Sequence, residues 1–78
     1  MSKAKLTAIL KDILNAPEDS IRAETALADS PQWDSFKHME LVVALEGEFN
    51  VMLEPEDIVS LVQVSDVIKV LGKKGVNL

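Results

Sequence analysis

Apolar residues recur at helical spacing in three separate stretches of the chain, with no run of strand-like alternation between them. In the first stretch, Leu6, Ile9, Leu10, Ile13 and Leu14 share one face, which predicts a helix over about 3–15. Ser2 is its candidate N-cap, and Asn15-Ala16-Pro17 its stop. In the second, His38, Leu41, Val42, Leu45 and Phe49 form a core stripe on a helix over about 35–49. Asn50, which tolerates the left-handed conformation, is the candidate terminator there. In the third, Val64, Val67, Ile68 and Leu71 repeat over 64–71, with Gly72 as the expected stop. Lys73 and Lys74 suit the negative end of that helix's dipole. A short helix over about 55–60 precedes it, with Pro55 at a first helical position and Glu56 and Asp57 in the first turn. It is expected to bury Ile58 and Leu61.

Residues 18–33 show no sustained period. A connection of this length in a small domain is functional or pinned down. Ile21, Ala23, Leu27 and Trp33 are the expected pins, with a short helical turn allowed among them. The resulting fold class is all-α: a small four-helix bundle with a long loop after its first helix and a short third helix. It forms a single domain over 1–78, with a tail from Gly75 expected to fray.

The second helix carries a second apolar stripe through Phe36, Met39 and Val43. A helix in a small domain has one core to face. This stripe is therefore either a docking surface or a second buried side. Charge favours docking. Between Asp34 and Asp57 stand seven acids (Asp34, Glu40, Glu46, Glu48, Glu54, Glu56, Asp57) and one base, Lys37. The rest of the chain has six acids and seven bases, so the net charge of −5 is concentrated on the second helix and the short third one. Such a surface disfavours nucleic acid, which demands a basic patch, and suits proteins with basic surfaces. With no cysteine, the chain has no disulfide, thiol nucleophile or thiolate metal site. No stretch reads as a signal peptide or a membrane span, so a cytoplasmic protein is the expectation.

The start of the second helix holds the candidate chemistry. Asp34 is a favoured N-cap. Ser35 comes next, at the positive end of the helix, where a phosphate ester on its hydroxyl is electrostatically favoured. His38 lies one turn on and reads as a satisfied boundary histidine. A hydrolase built from Ser35, His38 and Asp34 is a poor competitor. An acid adjacent to the nucleophile cannot easily orient the far side of the imidazole, and there is no Gly-x-Ser-x-Gly elbow. An unmodified acidic helical adaptor for a basic protein remains the alternative.

Asp34-Ser35-Phe36, then Met39 through Glu46, and Glu48-Phe49, resemble the attachment motif and second helix of acyl carrier proteins, whose signature there is Asp-Ser-Leu. The likeness extends over nearly the whole chain. It implies that Ser35 receives 4'-phosphopantetheine from coenzyme A, that Asp34 also helps the modifying transferase, and that the arm's thiol holds acyl groups as thioesters. The chain is then no enzyme but a substrate of others. The implied partners are a phosphopantetheinyl transferase and acyl-loading and acyl-transfer enzymes with basic docking surfaces. They meet Phe36, Met39, Glu40, Val43, Glu46 and Glu48 on a carrier expected to be monomeric. Trp33, Phe36, Lys37, His38 and Gly47 depart from the family's usual residues, which points to a specialised stand-alone carrier.

Overall fold

The computed structural model describes residues 2–78. Among these, four α-helices form: α1 (Ser2–Leu14), α2 (Ser35–Phe49), α3 (Pro55–Val59) and α4 (Val64–Lys73). The only strand-like feature among them is a single antiparallel bridge between Ala26 and Gln63. Each long helix delivers its stripe to one core. Leu6, Leu10, Ile13 and Leu14 come from α1, and Leu41, Val42 and Leu45 from α2. Val64, Val67, Val70 and Leu71 come from α4. Val70 takes the place expected for Ile68, which stays partly in solvent at the rim of a groove against α1.

Three helices end by one device. Asn15, Asn50 and Gly75 all adopt positive φ. The amide of the next residue reaches back five positions in each case: Ala16 to Lys11 O at 3.2 Å, Val51 to Glu46 O at 3.3 Å, Val76 to Leu71 O at 2.9 Å. This satisfies carbonyls that have no partner within the helix. At α4 the device corrects the expected boundary. Gly72 is inside the helix, since a single glycine costs only about 1 kcal/mol there. The stop is Gly75, and Val76 then packs against the core, so the tail is anchored at that residue. Ser2, expected as a cap, is already helical.

The long connection is tied down by backbone as well as by side chains. Leu27 is buried, and Ile21 and Trp33 pack on the core, but Ala23 is exposed. Two 3₁₀ turns, Glu18–Ser20 and Leu27–Asp29, give it local order. Its middle is stitched to the start of α4. The Leu27 amide donates to Val62 O at 2.9 Å, and the Val64 and Ser65 amides donate to Thr25 O and Ala23 O at 3.0 and 2.8 Å.

A five-residue helix has too few internal bonds to stand alone, so α3 depends on its attachments. Leu53 and Leu61 anchor its two ends in the core. The Leu53 amide also donates to Glu46 Oε2 of α2 at 2.9 Å. Asp57, expected in an exposed acidic first turn, is instead 2% exposed. It accepts from the Glu54 amide at 2.9 Å and pairs with Lys73 and, at 3.1 Å, with Lys74. The two lysines thus clamp α3 to the end of α4.

The Lys73 ammonium, followed by the Glu54 amide, holds the Asp57 carboxyl well below the usual carboxylate range. Asp57 in turn raises the Lys73 ammonium. The unfolded chain takes up a proton at Asp57 near pH 4 while the folded chain resists it. The clamp's contribution is therefore complete above about pH 4 and is lost as pH falls below it. For Lys73 the sign reverses: its share is complete below the ordinary lysine range and fades as pH rises through the folded value. The melting temperature should fall on acidification below about pH 4, and Asp57→Asn should flatten that limb. An unchanged acid limb in the variant rejects the clamp as its source.

Candidate functional site

The site is built from the loop inward. Ser30, Pro31, Gln32 and Trp33 make a turn in which the Trp33 amide donates to Ser30 O at 3.2 Å and Gln32 stands at φ 62°. The Ser30 hydroxyl donates to Leu14 O at 2.9 Å, fixing this turn to the end of α1. Trp33 then packs on the core and aims the chain into α2. Asp34 is extended and its Oδ1 accepts the Lys37 amide at 2.9 Å, so it is the N-cap expected of it. Ser35 is the first residue of α2 and is exposed. The amides of Ser35 and Phe36 precede the first α-helical bond, made by the His38 amide to Asp34 O at 3.0 Å. Ser35 therefore opens the turn whose unpaired amides favour an anionic oxygen.

The second stripe of α2 faces solvent: Phe36 is 76% exposed, Val43 64%, and Met39 about half. Glu40 is exposed beside it and lies 3.7 Å from Lys37, a pair that masks part of its charge. Two other acids stand differently from the expectation. Glu46 is half-buried, with its carboxylate on the Leu53 amide. Glu48 is exposed but borders α1, with Lys5, Ile9 and Asp12, away from the Phe36 strip. The rotation of 100° per residue explains this, since it sets Glu48 some 140° round the helix from Val43.

His38 is satisfied, as expected. Its Nε2 lies 2.8 Å from Ile58 O, and because a carbonyl only accepts, that nitrogen carries the proton. The Trp33 ring meets its imidazole edge-on, at 6.1 Å and 82°. With Nε2 bound to Ile58 and the Asp34 carboxylate spent on the Lys37 amide, the two groups are not arranged as a relay behind Ser35. Three exposed apolar residues beyond α2, Met52, Val59 and Val62, escape the reading from sequence. A signal for two of them exists, since Val59 and Val62 each come directly after a core-facing residue, Ile58 and Leu61. Among the described residues, no helix is long and apolar enough to cross a membrane.

Comparison with known proteins adds to this geometry. Residues 4–71 match the family described as phosphopantetheine attachment site. The chain is 37% identical over 71 residues to an acyl carrier protein of Bdellovibrio bacteriovorus, covering 91% of each. It is 33% identical over 70 residues to one of Thermosynechococcus vestitus, covering 90% of this chain and 86% of that one. A solution NMR structure of holo acyl carrier protein from Geobacter metallireducens superposes with a TM-score of 0.75 at 29% identity, covering 88% of this chain and 79% of that one. A capped serine at a helix start, inside a matched attachment region and on a shared fold, has one economical explanation: the chain belongs to the acyl carrier proteins, and 4'-phosphopantetheine is its covalent prosthetic group.

Proposed function

We propose that Ser35 is the residue that bears the arm, through a phosphodiester at its hydroxyl, and that the chain serves other enzymes as substrate without catalysing a step itself. The observation that carries this is an exposed hydroxyl on the first residue of α2, directly after a bonded Asp34 cap. When bound, the arm supplies a terminal thiol that holds acyl groups as thioesters. The chain's own residues have simpler tasks. Asp34 holds the first turn in place, the free amides of Ser35 and Phe36 favour the phosphodiester's charge, and exposure leaves the arm free to swing. Residues 1–78 act as one carrier domain, and Phe36, Met39, Val43 and Glu40 make the docking strip. Incubation with coenzyme A and a broad-specificity phosphopantetheinyl transferase should add one arm by intact mass. An unmodified adaptor adds none.

The acidic part of the strip should act weakly and with salt dependence. Exposed ion pairs contribute about 0.2–1 kcal/mol each, which suits a carrier that must leave every partner. Glu40→Lys is the clean variant, because Glu46 also supports the Leu53 amide. It should raise the transferase's KM for the carrier about two- to fivefold at low salt, and less as salt rises. An unchanged KM at low salt removes Glu40 from the docking surface.

A further inference from the structure

The hydrogen bond from His38 to Ile58 joins the first turn of α2 to the last turn of α3. Each end of this bond is followed by an exposed apolar residue. Met39 comes directly after His38, and Val59, 80% exposed, comes directly after Ile58. Val62, also exposed, is three residues further on. One side chain thus links the two segments that carry the Phe36–Met39–Val43 strip and the Val59–Val62 pair.

Among the described residues, no other hydrogen bond or ion pair joins this end of α3 to the start of α2. The Asp57 clamp reaches α4, and the Leu53 amide holds the opposite end of α3 to the last turns of α2. Besides the imidazole, Ile58 O receives a long 3.3 Å bond from the Leu61 amide and a share of the Ser60 amide, whose main acceptor is Glu56 O at 3.1 Å. His38 therefore supplies the good donor that the end of a short helix lacks.

We propose that His38 is a positioning residue that sets α3 against α2 so that Val59 and Val62 extend the docking strip into one two-helix apolar face. The occupant is an enzyme surface with an apolar centre and a rim of Arg or Lys. Charge complementarity selects it: no Lys or Arg occurs between Lys37 and Lys69, while Glu40, Glu54 and Glu56 are exposed on that span. Like the docking strip it extends, this face rests on the carrier reading; the latch itself does not.

Two measurements separate the parts. Amide hydrogen exchange on the unmodified chain tests the latch. His38→Ala should speed exchange at Ile58, Ser60 and Leu61 about tenfold, the worth of one hydrogen bond, while α1 amides keep their rates. His38→Gln, whose side-chain amide also donates, should restore much of the protection. Unchanged exchange in His38→Ala overturns the latch. Transferase kinetics test the face. Val59→Ser with Val62→Ser should raise KM about tenfold with kcat retained, and His38→Ala should raise it in the same sense. If Phe36→Ser raises KM but the Val59/Val62 variant does not, docking is confined to α2 and the two-helix face is wrong. If the native chain accepts no arm at all, the carrier reading fails instead, and the exchange result stands by itself.

Discussion

Ser35→Ala should abolish arm attachment completely: the variant's mass stays constant under conditions where the native chain gains one arm. The expectation is all-or-none because the other serines are poorly placed. Ser20, Ser30 and Ser60 each donate their hydroxyl to a nearby carbonyl, of Pro17, Leu14 and Asp57. Ser65 accepts from the Gln63 side chain at 2.7 Å. Ser2 lies half-buried at the start of α1 and has no acidic cap equivalent to Asp34. Loss of the arm cannot be put down to unfolding. An exposed serine at a first helical position is replaced by alanine at a cost within about 0.5 kcal/mol, so the variant's melting curve should overlay the native one. An arm on Ser35→Ala moves the attachment site elsewhere. A native chain that takes no arm returns the acidic adaptor.

Local chemistry and long-range chemistry are unequally legible in the sequence. The Asp34 cap, the left-handed Asn50 and the two stripes of α2 depend on residues within one or two turns of one another, and periodicity exposes them. The Asp57 clamp joins residues 16 apart across a loop and two helices, so in the sequence Asp57 looks like one more solvated acid. Gly72 misleads for a related reason. A glycine near the end of an apolar repeat is a plausible stop, but Lys73 and Lys74 reach Asp57 and Val76 reaches the core, which carries the helix past it. Glu46 reads as a docking charge because nothing local reveals that it meets the Leu53 amide seven residues on. For both acids an internal tie replaces an expected exposed charge, and each tie holds either α3 or the link that enters it. The shortest α-helix is thus the one most dependent on polar contacts from elsewhere.

Leu45→Ala and Val43→Ala, two positions apart on α2, should separate stability from recognition. Leu45 is 0% exposed at the centre of the core. Its truncation should cost about 2–5 kcal/mol, from lost transfer energy plus the cavity left behind. A domain of this size is stable by only about 5–15 kcal/mol, so the melting temperature should drop by roughly 10 °C or more. Where the variant remains folded, transferase KM should change little, since the docking strip is intact. Val43 points the other way round the helix into solvent, so Val43→Ala should leave the melting temperature within a few degrees. It should instead raise KM several-fold, because the methyl groups it loses are buried only when a partner arrives. A stability loss at Val43 equal to that at Leu45 would place both stripes in the interior and remove the docking strip altogether. A helix that spends one face on its own core and keeps a second apolar face in water accepts a standing solvation cost, and on the proposed carrier reading repeated, brief contact with other proteins is the reason for keeping it.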